Sequence, residues 1–150
     1  ALPGLDEYDG DALIRTIHPA PLARPVTPEQ VRQHFRLLRQ GLAQWMAGAT
    51  PPQGVPAHAD FVAGVVQALD RVRAQHGDGT ALIVSSGGPI ATAIGHVLGL
   101  GAAATIELNL NIRNSALSEL RVGPMRHTLI SFNTLPHLDH EAEPGWVTYA

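Results

Sequence analysis

The sequence predicts an α/β fold, a three-layer sandwich with a mostly parallel mixed sheet and a C-terminal hairpin. Amphipathic helical patterns come before a short apolar strand, and this strand leads through a glycine-rich turn into another helix. Two segments of alternating polarity follow, separated by a Gly-Pro turn. Helices on both faces of a sheet bury an all-apolar strand, so these observations favour a layered α/β domain.

The first half of the chain is predicted to be mostly helical. Residues 10–17 form a short helical candidate. Thr27, Pro28 and Gln30 begin the next helix: Thr27 can cap it, Pro28 suits its first position, and Gln30 completes a capping box. Its apolar positions recur every three or four residues and form one stripe: Val31, Phe35, Leu38, Leu42 and Trp45. Phe35 and Trp45 are expected in the core. This helix is expected to end near Gly48.

A second amphipathic helix is predicted after a proline-rich loop at residues 49–57. Four residues at helical spacing form its apolar face: Phe61, Val65, Leu69 and Val72. The apolar residues 81–84 predict a buried strand. The helix that contains Pro89 is expected to continue to about Leu98 and to stop at Gly99, because glycine favours a helix C-terminus.

Two segments near the end of the chain alternate apolar and polar residues, which is typical of half-buried strands. These are residues 115–122 and 126–132, and Gly123 and Pro124 lie between them. The pattern predicts a β-hairpin. The tail at residues 136–146 is predicted to be a loop.

The turn at residues 85–88 is the strongest candidate site. Its backbone N–H groups and the positive end of the following helix dipole point to one place, which favours an anion such as phosphate. Ser86, Gly87 and Gly88 are therefore predicted to contact phosphate. The same residues could instead form only a tight strand-to-helix connection. The glycine pair lacks the third spaced glycine of a dinucleotide site, so NAD is not expected.

Composition narrows the function classes. The 150 residues contain no cysteine, so they can form no disulfide, no thiolate–zinc site and no cysteine nucleophile. A net charge of −3 gives no electrostatic footprint for nucleic acid. No apolar run approaches the length of a transmembrane helix, so no membrane partner is predicted and a cytoplasmic location is expected.

His137 and His140 could suggest a metal pair, but Pro136 favours a loop and no metal site is predicted.

Three segments carry a family resemblance: residues 5–10, residues 82–89, and residues 111–120 with 131–133 and 136–138. In this order and spacing, they resemble the later part of the histidine phosphatase superfamily, whose fold is phosphoglycerate mutase-like. The resemblance spans nearly the whole chain. A subgroup of that family is similar to this chain in having Ser-Gly-Gly-Pro-Ile, residues 86–90 here, at the turn.

The resemblance implies a phosphomonoester hydrolase that acts on a small phosphorylated substrate through a phosphohistidine, without metal or organic cofactor. Glu7 matches the family's proton donor. Ser86 stands where the family has its second histidine, and its hydroxyl can donate a hydrogen bond to phosphate but brings no positive charge. The family's Arg-His-Gly segment does not occur in these 150 residues. We therefore expect residues 1–150 to be a single domain, the C-terminal part of a longer one whose N-terminal strand carries the nucleophile.

Other interpretations stay open. The chain could be a catalytically weak or inactive member that binds phosphate esters, as Ser86 suggests, or an unrelated α/β domain that matches by chance. Glu7 could be a solvated loop carboxylate, and Arg113 and Asn114 are expected to brace the hairpin. Without the N-terminal strand, the sheet would have uncovered edges and an apolar groove. We expect an upstream segment or another chain, such as a second copy in a homo-oligomer, to cover them.

Overall fold

The computed structural model describes residues 2–76, 79–138 and 146–149, which contain five helices and one two-stranded sheet. The helices are α1 (Gly10–Ile17), α2 (Pro28–Met46), α3 (His58–His76), α4 (Gly87–Leu98) and α5 (Ala102–Leu110). The strands are β1 (Leu117–Val122) and β2 (His127–Thr134). Helix α4 packs against α3, α5 and β2.

Helix α2 begins as the sequence predicts. The Thr27 hydroxyl accepts the Gln30 N–H at 3.2 Å, and the Gln30 side chain accepts the Thr27 N–H at 3.1 Å. Its apolar stripe is only partly buried: Leu42 and Trp45 are in the core, whereas Phe35 is half-buried. The prediction of a core position for Phe35 is wrong because the first turns of α2 lie outside the main hydrophobic cluster.

The core is built mainly from one face each of α1, α2 and α3. All four residues predicted for the apolar face of α3 are buried: Phe61, Val65, Leu69 and Val72. Helices α1 and α2 meet at Gly41, where a Cβ would lie 2.8 Å from the Leu13 carbonyl oxygen. Glycine at this position therefore allows the two helices to pack closely.

The C-terminal end of α4 is also predicted correctly. Gly99 adopts a left-handed conformation with φ of 66°, and its N–H bonds to carbonyl groups in the last turn of the helix. Helix α5 was not predicted. It begins after Gly101 without a side-chain cap, and its first three residues are alanines, so neither a capping signal nor an amphipathic pattern marks it.

The predicted hairpin is present and is braced from both sides. Strand β1 pairs antiparallel with β2, with irregular register near Leu117. The Arg113 N–H donates to the Asn133 side chain at 2.8 Å, and the Arg113 guanidinium donates to the Asn133 carbonyl. Asn114 donates to the Thr148 hydroxyl at 2.9 Å. Arg113 and Asn114 thus link the start of the hairpin to its return strand and to the C-terminal segment.

The prediction of a buried strand at residues 81–84 is wrong for this structure. The segment belongs to no strand, and its backbone makes no hydrogen bond to the described residues. Leu82 and Val84 are 81% and 88% exposed. A strand needs a neighbouring backbone, and none lies alongside within the described parts of the chain. The mostly parallel sheet is accordingly not formed there, and a groove of about 580 Å³ borders the segment.

The burial of His58 predicts that stability depends on pH. The His58 ring packs edge-on against Trp45, with centroids 4.9 Å apart, and burial lowers the His58 pKa from its ordinary 6.5. Near and below pH 6.5 the unfolded chain therefore binds more protons at this residue than the folded chain. Protonation of His58 therefore favours the unfolded chain. The unfolding free energy is higher above that pH, where His58 is neutral in both states, and it decreases as the pH falls.

We expect His58→Gln to reduce the fall in unfolding free energy between about pH 7 and pH 5. Urea denaturation at several pH values measures this slope for the wild-type protein and the variant. His137→Gln serves as the control because His137 is exposed. Equal slopes for wild type and His58→Gln would contradict the assignment.

Candidate functional site

The candidate site is centred on the N-terminus of α4. Ser86 precedes the helix in an extended conformation, with φ of −105° and ψ of 178°, and its side chain does not cap the helix. Gly87, Gly88 and Pro89 are buried, whereas Ser86 is exposed. Pro89 lies in the first turn of the helix, where its missing N–H leaves no hydrogen bond unmade.

The carboxylate of Glu7 caps this helix from far away in the sequence. Glu7 Oε2 accepts the Gly88 N–H at 2.9 Å, and Glu7 Oε1 accepts the Tyr8 N–H at 3.1 Å. A carboxylate at this end of a helix satisfies a free N–H group and interacts favourably with the helix dipole. The structure therefore brings the predicted proton donor and the predicted phosphate-binding turn into direct contact.

Gly88 is required for this contact because of its size. A Cβ at residue 88 would collide with the Glu7 carboxylate and with the Tyr8 ring. The sequence singled out Gly88 for its backbone N–H alone, and its lack of a side chain has a second role. It lets the loop that carries Glu7 approach the helix closely.

Ser85 and Ser86 have different surroundings. The Ser85 hydroxyl donates to the Leu5 carbonyl at 2.9 Å, which ties the turn to the loop before α1 a second time. The exposed Ser86 hydroxyl makes no hydrogen bond to the described residues. Of the two hydroxyls, that of Ser86 is therefore available to a ligand.

Tyr8 and Asn109 are members of the site that the sequence did not indicate. Tyr8 is buried between Trp45 and Phe61, and its hydroxyl accepts a hydrogen bond from the Asn109 side chain at 2.5 Å. Burial raises the Tyr8 pKa, and the Glu7 charge raises it further, while the hydrogen bond from Asn109 opposes both. An aromatic residue inside the otherwise polar run Asp-Glu-Tyr-Asp is a signal that could have found Tyr8.

The remaining polar candidates lie elsewhere or are not described. No histidine or arginine side chain of the described residues hydrogen-bonds to Glu7 or to residues 85–88. His137 is exposed, and His140 lies outside the described residues. Within those residues, no group of three or more histidine or acidic side chains is arranged to hold a metal ion. None of the described helices is long and apolar enough to cross a membrane, and the cytoplasmic location stays a prediction.

We expect Glu7→Ala to lower the unfolding free energy by about 1 kcal/mol, the usual effect of removing a helix cap. The variant leaves the Gly88 N–H without its partner. Chemical denaturation measures the loss. Asp6→Ala is the matched control, because Asp6 is an exposed carboxylate in the same loop. A loss no larger than that of the control would show that the carboxylate does not cap α4 in solution.

The chain was compared with known families, curated proteins and solved structures. Residues 24–135 match the histidine phosphatase superfamily (branch 1). No curated protein and no solved structure gives a significant match. The matched range contains the Ser86 turn, α4, α5 and the whole hairpin, and it begins after Glu7. Since the match covers well over half of the 150 residues, the chain belongs to the histidine phosphatase superfamily.

Proposed function

We propose that this chain contributes the proton donor and part of the phosphate-binding site of a phosphomonoester hydrolase. Membership of the histidine phosphatase superfamily supports a phosphatase- or mutase-like function. The observation that carries the residue assignment is the 2.9 Å hydrogen bond between Gly88 N–H and Glu7 Oε2. It supports the assignment because the Glu7 carboxylate lies beside the turn to which we assign phosphate.

Two donors at the turn are suited to phosphate. The Gly87 N–H and the Ser86 hydroxyl make no hydrogen bond to the described residues, and both belong to the start of α4. The helix dipole favours negative charge at this position. We assign them to oxygens of the phosphoryl group, while the Gly88 N–H holds Glu7.

The proposed reaction has two steps. In the first, a neutral histidine from an upstream Arg-His-Gly segment attacks phosphorus, the ester P–O bond breaks, and protonated Glu7 gives its proton to the leaving oxygen. In the second, water attacks phosphorus, the P–N bond breaks, and the Glu7 carboxylate takes the proton from water. Each Glu7 oxygen accepts one hydrogen bond and keeps a second position on which a proton can sit.

The neutral Ser86 favours a second candidate function. A neutral hydroxyl can donate a hydrogen bond to phosphate but brings no positive charge, so it stabilises phosphoryl charge less than a protonated histidine does. The Glu7 carboxylate also occupies one N–H that an anion could use. The alternative is therefore a weakly active or inactive member of the family that binds phosphate esters.

We also propose that a strand preceding residue 1 in the longer chain pairs with residues 81–84 and carries the nucleophile. The continuous apolar run of this segment is typical of strands buried in parallel sheets. Its free backbone and its exposed Leu82 and Val84 are the features that such a strand would cover. The pairing would give the mostly parallel mixed sheet and the three-layer sandwich that the sequence predicts.

Glutamate substitutions in the full-length protein test this pairing. We expect Val84→Glu to cost about 2–4 kcal/mol of unfolding free energy, or to prevent folding, because a covered position would bury an unpaired charge. Val26→Glu is the matched control, since Val26 is 81% exposed in a loop, and we expect a change within about 0.5 kcal/mol. A Val84→Glu variant as stable as the control would contradict the proposed strand.

Hydrolysis of p-nitrophenyl phosphate and of an alkyl phosphate by the full-length protein tests the reaction. We expect Glu7→Gln to lower kcat for the alkyl phosphate by about 10²- to 10⁴-fold, because the amide cannot donate the proton. Asp6→Asn, the same chemical change one residue away, should leave kcat within about twofold. Tight binding of inorganic phosphate without any turnover would favour the binding-only alternative. Full activity of Glu7→Gln would remove Glu7 from the mechanism.

A further inference from the structure

Tyr8 is anchored by several helices at once, although it belongs to an irregular loop. Its ring packs against Trp45 of α2 at 5.0 Å between centroids and against Phe61 of α3 at 5.5 Å. A Cβ on Gly88 of α4 would collide with the same ring. Only 9% of Tyr8 is exposed, in a loop whose neighbours Glu7 and Asp9 are exposed. Dense packing of this kind leaves the ring one position.

A hydrogen bond to the Tyr8 hydroxyl also holds the ring in place. The hydroxyl accepts the Asn109 Nδ2–H at 2.5 Å, and Asn109 lies on α5. Helix α5 packs directly against α4, the helix that carries Gly88. The hydrogen bond therefore ties the loop to the same helix pair that presents the phosphate-binding turn.

The Glu7 carboxylate has little else to hold it. One oxygen accepts the Tyr8 N–H and the other accepts the Gly88 N–H, and these are its hydrogen bonds to the described residues. The Tyr8 backbone position thus sets where the carboxylate lies. A displacement of about 1 Å in a catalytic group can cost on the order of 100-fold in rate.

We propose that Tyr8, locked by Asn109, is the positioning residue that holds the Glu7 carboxylate at the start of α4. The inference rests on the proposed function in taking Glu7 as the proton donor. It adds a pair of residues whose proposed role is indirect, through the Glu7 carboxylate. Their task is to keep the Glu7 carboxyl within reach of the leaving oxygen, although Glu7 itself is exposed to solvent.

The test uses Tyr8→Phe and Asn109→Leu in the full-length protein, each of which removes the hydrogen bond and leaves an aromatic ring at position 8 in place. The first readout is the NMR chemical shift of the Gly88 amide proton. We expect both variants to move it toward its position in Glu7→Ala. Tyr149→Phe is the matched control, because it removes the hydroxyl of a tyrosine that is 56% exposed, and it should leave the Gly88 resonance unchanged.

The second readout is the dependence of kcat on the leaving group. A misplaced proton donor slows the release of an alkoxide far more than that of p-nitrophenolate, which needs no proton. We expect about a tenfold loss on an alkyl phosphate, with kcat on p-nitrophenyl phosphate within about twofold. The double variant should lose no more than either single one, since both remove the same bond.

The outcomes separate this inference from the proposed function. An unchanged Gly88 resonance in folded Tyr8→Phe, or equal losses on the two substrates, would overturn the positioning role. If the wild-type protein hydrolyses neither substrate, the proposed function fails, and the Gly88 resonance alone decides whether Tyr8 positions Glu7. Because Tyr8→Phe keeps the packed ring, it provides the test even where Asn109→Leu does not fold.

Discussion

The hydrogen bond from the Gly88 N–H to the Glu7 carboxylate connects the two parts of the candidate site. Helix α4 has no cap from its own sequence, since the Ser86 side chain makes no capping bond. The Gly88 N–H in its first turn is bonded instead by the Glu7 carboxylate, 81 positions earlier in the sequence. The same bond therefore stabilises the start of α4 and sets the position of the Glu7 carboxylate. The stability of α4 and the proposed proton transfer thus involve the same carboxylate.

The aromatic cluster beneath the site explains how an exposed loop can hold that carboxylate. Tyr8, Trp45 and Phe61 pack with tilted or edge-on rings, the geometry that aromatic pairs prefer. Trp45 also donates from its indole nitrogen to the Pro56 carbonyl at 2.8 Å, which fixes its orientation. Tyr8 thus anchors the loop before α1 in the core, directly beside the exposed Glu7.

Elements with local signals were predictable from the sequence. The capping box at Thr27 and the left-handed Gly99 set helix boundaries within a few residues, because the interactions that define them are local. The hairpin followed from alternation and its Gly-Pro turn. The strand at residues 81–84 did not form because pairing depends on a second backbone, which composition alone cannot supply.

The site was predictable only in part, because some of its contacts join distant parts of the chain and leave no local signal in the sequence. Glu7 and residues 86–88 were identified through the family resemblance and the turn chemistry, and the structure brings them together. The assignment of catalytic and phosphate-binding roles stays a prediction. Tyr8 and Asn109 were missed because 101 positions separate them and no spacing rule relates residues so far apart. Their contact exists only once the helices have packed.

That separation has a consequence for how the molecule folds. Single helices form in about a microsecond or less, whereas contacts between distant residues wait until long loops have closed. The Glu7–Gly88 and Tyr8–Asn109 contacts join residues 81 and 101 positions apart, so the site is complete only when these long chain segments have closed. Trp45 lies against Tyr8 in the core, whereas the other tryptophan, Trp146, is 55% exposed. The fluorescence of Trp45 is consequently a probe for the packing of Tyr8, and so of the loop that carries Glu7, against the core.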